Sequence, residues 1–590
     1  MHGFSRFAVV ALALGVLMSG ESRVQAAAPT ASALDAAISS GNFGDYFTSL
    51  SSWLGQKVPA APASITKSSL TAILKDPSTD TALCQRTLLS KFGVANIEAF
   101  VKADPQNKAF LSWLMRNNKA MTMYLEGSTP TGLKAREEGN WTLRAGSLET
   151  WKKIYYADPE SRAGMYLRLA IGASIGPQGS NSRGAGGQPE PLADPVTRYT
   201  YFKTAHKNGE LFPSFDKLNV WEYSKVTSSH ARDADLTWGR QMINTYRPDF
   251  REGEKVVQMV SSLWRRNSTV SYTNMATVLQ GGGKCGPRSS FGVFINQAFG
   301  IPSIGVAQPA HACTAWRDTT GTWQVGYGKG WAASRLEGLG GMDFVDGSLA
   351  RSSTTLFSET EHLRWLAAAV TSKDQANVIA RLATRSSQVY TGKTVDPNAS
   401  FNADEANNDP GIEAAAAGKS GAHKAPAKPA AKLGVIVTKK APVVPVKAVN
   451  GVMHIEAAKF AKTEGQGMFF NQPGVMLHDS YTPEGKPDGS QQVYFAQQMK
   501  YCWAEYDVSV PATGMYEVSV KAAAVNDDQM LLVGCGTNKE TTVWIPMSYG
   551  LWQESKAEKI RLEQGLQKIR VSAPSQRGVA LKWIELKPKV

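Results

Sequence analysis

Between about Asn402 and Val449 the chain is built from Ala, Pro, Lys and Gly, with almost no aromatic residue. Such a stretch buries too little apolar surface to offset its ordering entropy, so it predicts an extended, mobile linker between two folding units. The length of 590 residues also predicts several domains, and 42% hydrophobic residues is ordinary for a globular chain. The expected divisions are a secretory leader over 1–26, a helical region running into an α+β domain over 28–400 with its core at about 230–390, the linker over 401–449, and an all-β sandwich over 450–590.

The leader reading rests on Met1 to Arg6, the apolar run from Phe7 to Met18, and the small-residue pattern Val24-Gln25-Ala26. That run is too short to span a bilayer and no later stretch is long enough, so the mature chain is expected to be secreted, periplasmic or at the cell surface, with no transmembrane segment. Part of the formal charge of +14 sits in the linker, at Lys419, Lys424, Lys428, Lys432, Lys439, Lys440 and Lys447. Export argues against a nucleic-acid partner; an anionic envelope or matrix polymer attracts such a tract without specificity. Five cysteines are too few to form the scaffold, and an odd number leaves at least one free thiol; Cys502 and Cys535 are a candidate pair.

Most of 28–270 carries helical signals, with Asn140 to Arg144 as a candidate strand. Gly281-Gly-Gly-Lys-Cys285-Gly-Pro287 then leads into Phe291, Phe294, Ile295 and Ala298, at i, i+3, i+4, i+7. This predicts a short helix opened at Cys285, with Pro287 in its first turn and Gly300 before Ile301-Pro302 as its stop. Strands are expected from Ser303 to Val306, His311 to Trp316 and Thr322 to Val325, with a turn at Asp318-Thr-Thr-Gly321. A thiol at a helix N-terminus feels the positive end of the dipole, and an imidazole nearby takes its proton, which is cysteine-nucleophile chemistry. The bland readings are a small buried hydrophobe, a core histidine, and a Cys285–Cys313 disulfide, since Cys313 shares a strand face with His311.

The order Gly283, Cys285, Gly300-Ile301-Pro302, His311 resembles the transglutaminase-like core, a branch of the papain-like cysteine fold. The resemblance implies a nucleophile at Cys285, a proton shuttle at His311, a protein or peptide amide substrate, no cofactor, and an acid on the strand after the histidine. No carboxylate stands there. Pairing Arg317 with Thr322 sets Gly328 opposite His311, and a one-residue shift sets Tyr327 there, whose hydroxyl orients a ring without stabilising its cation. Asp318, Asp343 and Asp346 substitute only if the chain folds back. Gln280, upstream of Cys285, is the candidate oxyanion donor.

Beyond the linker, β-branched alternation returns, with candidate strands at Met453 to Ala457, Ala504 to Val510, Met515 to Ala522, Met530 to Val533, Lys559 to Leu562, Gln567 to Val571 and Ala580 to Leu586. The landmarks His454-Ile-Glu-Ala-Ala458, Tyr506 to Tyr516, Leu562 to Gly565 and Val579 to Leu586 resemble family 6 and family 35 carbohydrate-binding modules. This implies a jelly-roll, galactose-binding-like sandwich and a polysaccharide or glycan-bearing partner. Two carboxylates of that group's structural calcium site are replaced here by Ala458 and Lys582, so no metal is expected there. Sugar-stacking candidates are Phe469, Phe470, Tyr481, Tyr501, Trp503, Trp544 and Trp552, with Tyr501 and Trp503 favoured.

The whole predicts a multidomain chain: a papain/transglutaminase-like α+β domain with a large helical N-terminal part, a flexible linker and a C-terminal sandwich. The function expected is a secreted cysteine acyl-transfer enzyme, hydrolysing or transamidating amides at a glycan-bearing surface. The alternative is a non-catalytic envelope or adhesion protein with a degenerate thiol core.

Overall fold

The computed structural model describes residues 28–176, 182–183, 189–190, 193–251, 275–281, 285–326, 328–388, 396–399, 436–439, 443–467, 473–496, 498–536, 540–574 and 578–589. The expected leader and most of the expected linker lie outside these residues, as does the apolar segment just before the Cys285 motif. Among the described residues no helix is long and apolar enough to cross a membrane.

Helices fill the region from Ala31 to Tyr246. An Asp-Pro pair opens three of them, Pro77–Phe92, Pro105–Arg116 and Pro195–Lys207: the aspartate carboxylate accepts a backbone N–H of the first turn, and proline takes a position that needs no donor. Residues 140–144 are not a strand. Leu143 N–H donates to Lys91 O and Trp141 lies under the Lys91 ammonium, so packing against a helix end has overridden strand propensity.

The helix Cys285–Ala298 starts at the expected thiol. It stops as the glycine predicts: Gly300 adopts φ +78°, its N–H bonds Gln297 O, and Ile301 N–H bonds Asn296 O, a Schellman closure. The helix lies on an antiparallel sheet ordered Trp323–Gly326, His311–Arg317, Ser303–Gln308, Arg335–Leu336, Leu339–Gly340. On its other side it meets the helix Asp233–Tyr246, where Trp238 stacks on Phe294 at 6.0 Å and a Cβ on Gly239 would touch the Phe294 ring.

The C-terminal part is a two-sheet sandwich. One sheet runs Val475–Tyr481, Pro487–Phe495, Val579–Pro588, Gly514–Ala524, Gln553–Glu554, with Met453–Glu456 and Glu558–Leu562 paired onto it. The other runs Thr541–Trp544, Met530–Cys535, Gly565–Ala573, Gln498–Val510, Lys462–Gly467, Ile436–Lys439. Val493, Phe495, Val520 and Ile584 from the first meet Ala504, Tyr506, Val533 and Val571 from the second in one core. Ile436–Lys439 and Val446–Lys447 fall inside the stretch expected to be linker, yet both pair into the second sheet.

The sandwich is docked on the helical part rather than merely tethered. Tyr246 Oη donates to Gly578 O at 2.8 Å and lies 3.3 Å from Tyr494 Oη. Gln492 Nε2 donates to Thr245 O, Asn244 Nδ2 to Pro483 O and Arg251 to Gly485 O, each at 2.8 Å. Trp238 Nε1 donates to Tyr549 O at 3.1 Å. Tyr494, Ala523 and Ala580, on the outer face of the first sheet, belong to the same buried cluster as Met242 and Tyr246, and the half-buried Met476 packs against it. One helix, Asp233–Tyr246, therefore touches both the thiol helix and the sandwich.

Candidate functional site

The tip of the thiol helix is fixed by its own first turns. Ser289, one turn after Cys285, donates its hydroxyl to Cys313 O, and Thr314 Oγ1 donates back to Ser289 O at 3.2 Å. Cys285 is half-buried and the strand residue Cys313 is buried. Burial first, and then the charge of Cys285, pushes the Cys313 thiol up to about 12, which places the two sulfurs in electrostatic contact. His311, buried, sits one pleat before Cys313 on the same face of its strand. All five cysteines are free thiols. Neither the Cys285–Cys313 bridge nor the Cys502–Cys535 pair is formed; Cys535 Sγ instead meets Gln567 Oε1 at 3.1 Å.

The strand after His311 takes neither expected register. Asp318 N–H bonds Thr322 O, and Asp318 Oδ1 accepts the N–H groups of Thr320 and Thr322 at 2.9 Å. This closed turn pairs Arg317 with Trp323, and the described ladder runs to Thr314 opposite Gly326. Gly328 is thus not the ladder partner of His311, and Tyr327 lies outside the described residues. Asp318 is spent at the far end of the strand from His311, while Asp343 and Asp346 lie on the next helix, Gly341–Ser352.

The cross-strand partner of His311 is Gln308, brought there by the two-residue turn Pro309-Ala310, with Ala310 at φ 59°. Gln308 is buried, with its amide bound on both sides: Nε2 donates to Ser334 Oγ at 2.9 Å and Gly330 O at 3.2 Å, and Oε1 accepts Lys329 N–H at 2.8 Å. A Cβ on Gly328 would lie 2.4 Å from that Oε1, so the amide occupies the space a side chain at 328 needs. Sequence reading missed Gln308; extending the hairpin by two pairs beyond Val306 would have found it. The Gln280 side chain lies outside the described residues.

In the sandwich, Trp503 is buried on the outer face of the second sheet, with the Arg570 guanidinium 4.2 Å from its ring centroid and Lys462 Nζ at 5.2 Å. Its ring is already covered by cations, so it is not the open platform expected. The side chain of Tyr501, with Phe469 and Phe470, lies outside the described residues. Trp544 is 56% exposed, and the registers Trp544↔Met530, Leu532↔Ser572 and Ser572↔Trp503 put it on the same sheet face as Trp503. Where the calcium site was discounted, Lys582 Nζ meets Asp488 Oδ2 and Ser490 Oγ at 2.6 Å and also bonds Ser480 Oγ. Burial raises the Asp488 carboxyl, but the bonds from Lys582 and Ser490 outweigh it and hold the group at about 2. Glu456 and Glu585 share the His454 ring, each at 3.1 Å.

The fold is that of a multidomain chain with a helical N-terminal part and a C-terminal β-sandwich. No protein-family model matches it, and no curated protein matches it. Among solved structures it is similar to the C-terminal family 6 carbohydrate-binding module of a marine laminarinase from Zobellia galactanivorans, at 13% identity and TM-score 0.19, over 23% of this chain and 98% of that one. It is likewise similar to a family 6 module of a Cellvibrio mixtus lichenase in complex with cellotriose, at 19% identity and TM-score 0.18, over 23% and 97%. A family 35 module from Clostridium thermocellum matches at 14% identity and TM-score 0.19, over 23% and 98%.

Proposed function

We propose that the chain is an exported cysteine acyl-transfer enzyme with a sugar-binding sandwich fixed beside its thiol domain. Cys285 attacks an amide carbonyl of a protein or peptide, His311 accepts the thiol proton and returns it to the leaving amine, and water or an amine resolves the acyl-enzyme. The observation that carries this reading is the Ser289 seam, which holds the first turn of the thiol helix against the strand that opens with His311. The positive helix end favours the thiolate, and half-burial leaves it reachable.

The test is alkylation of the folded protein with iodoacetamide at about pH 6.5, where an unactivated thiol is almost wholly protonated. Cys285 is expected to react ahead of the other four cysteines, and His311→Ala to remove that preference. Equal or absent labelling of Cys285 removes the enzyme and leaves the second reading, a non-catalytic envelope or adhesion protein. That reading gains from the space beside His311, where Gln308 stands and the described ladder places no carboxylate.

For the sandwich, Trp544 is the proposed sugar platform, because among the described side chains it is an aromatic of the second sheet's outer face with its ring open to solvent. Retardation in gels containing a panel of polysaccharides tests it. Unchanged mobility in every gel reduces the sandwich to a structural partner of the thiol domain.

A further inference from the structure

A cysteine meets a histidine deep in the helical part. Asp80 and Cys84 stand one turn apart on the helix Pro77–Phe92, so they share a face, and His362 reaches them from the helix Thr354–Ala369. One carboxylate oxygen, the thiol sulfur and one ring nitrogen all lie within 4.8 Å of one another. Cys84 is fully buried and His362 is 8% exposed. His362 Nδ1 is 3.1 Å from Asp80 Oδ1, and the buried ring also faces the Cys84 thiol. A third helix, Asn118–Ser128, closes the site: Asn118 Nδ2 donates to Asp80 Oδ2, and Thr122 Oγ1 lies 3.4 Å from Cys84 Sγ.

Three different donor types, carboxylate, thiol and imidazole, converging from two helices is an unusual way to fill a core. The donor set itself is selective. Thiolate with imidazole suits a borderline cation and disfavours calcium and magnesium, which prefer oxygen shells. One thiolate and one carboxylate also neutralise a divalent ion, so the loaded site carries no net charge into the interior. We propose that Asp80, Cys84 and His362 form a structural site for one zinc-class divalent cation, which clamps the N-terminal helices to the helix that closes the thiol domain. Binding replaces the thiol proton, and any second ring proton, with the metal and releases them to solvent. The fourth position falls to the Thr122 hydroxyl, 3.4 Å from the Cys84 sulfur.

The test uses the full-length chain without an affinity tag, stripped with a chelator and titrated with cobalt(II). The expected result is one equivalent bound, a near-ultraviolet thiolate-to-cobalt charge-transfer band, displacement by zinc(II), and a rise in the thermal midpoint on loading. Cys84→Ser should abolish the band and weaken binding roughly 100-fold, whereas Cys285→Ser should keep it. A wild-type chain that binds no cobalt overturns the proposal without any substitution, so a variant that fails to fold does not shield it. A band that survives Cys84→Ser and disappears in Cys285→Ser also overturns it, by moving the metal to the other thiol.

Discussion

The two outer faces of the sandwich have opposite surroundings. The first sheet presents Gln492, Tyr494 and Ala580, all buried, and the half-buried Met476 to the helical part. The second sheet carries an ion-paired lattice outward: Lys568 lies 2.9 Å from Asp507, Arg570 lies 3.1 Å from Glu505, and Trp544 stands open beyond them. Both faces come from strands with the same period-2 alternation, yet one alternate set is small or aromatic and the other is charged. The difference shows which face the domain seam consumes and which is left for a ligand. It also means that the free face keeps a set orientation to Cys285, because the helix Asp233–Tyr246 lies between the two.

The largest expected effect is on the docked face. Arg247 is 2% exposed, bonded to Asp249 at 2.7 Å, with Phe250 3.8 Å and Tyr494 4.6 Å from its guanidinium carbon. Burial alone lowers this guanidinium's affinity for its proton, but the Asp249 carboxylate more than restores it. Arg247→Ala strands that carboxylate in the seam and is expected to cost about 3–5 kcal/mol. Urea unfolding followed by tryptophan fluorescence should then split into two transitions, one for each half. One unsplit transition at the wild-type midpoint would mean that the seam does not couple the halves.

On the free face, Trp544→Ala is expected to lower polysaccharide affinity by about 1–2 kcal/mol, or roughly tenfold, with the urea midpoint unchanged. Trp503→Ala should do the reverse, since that ring is packed under Arg570. If Trp503→Ala alone weakens binding, the two tryptophans have exchanged roles. Back at the seam, Tyr246→Phe removes the donor to Gly578 O and should cost about 1 kcal/mol, measured by the same unfolding curve. A variant as stable as wild type would show that water replaces the hydroxyl.

The parts legible in sequence are those whose signals are local. The thiol helix was readable at both ends because Cys285 follows a glycine run and Gly300 needs a left-handed backbone. The hairpin was readable as a hairpin, but its register turned on one carboxylate, Asp318, reaching two amides of its own turn, and composition does not encode that choice. In the sandwich the β-branched strands were found, while Lys462–Gly467 was missed because Lys-Thr-Glu-Gly-Gln-Gly has no apolar alternation and is held by its neighbours. The docking was hidden for a different reason. Tyr246 and Arg247 end an ordinary amphipathic helix, and nothing near them announces a partner some 250 residues away at Tyr494 and still further at Gly578.

The smallest effect lies beside the seam, at Lys582. This ammonium holds Asp488 on the outer face of the docked sheet, 6.0 Å from the Trp552 ring centroid, and Trp552 packs on the N-terminal core. The folded carboxyl sits at about 2 against an ordinary value of 3.8. A depressed carboxyl stabilises the fold fully above its unfolded value and loses that contribution as pH falls toward the folded one, so the loss should run from about pH 4 down to about pH 2. Allowing for the pair's partial exposure, it amounts to about 1 kcal/mol. Lys582→Met should flatten the stability profile in that window and leave it parallel to wild type near neutrality. If the sandwich is docked as described, thermal unfolding of the whole chain follows this change; if only a separate sandwich transition moves, the seam does not transmit it.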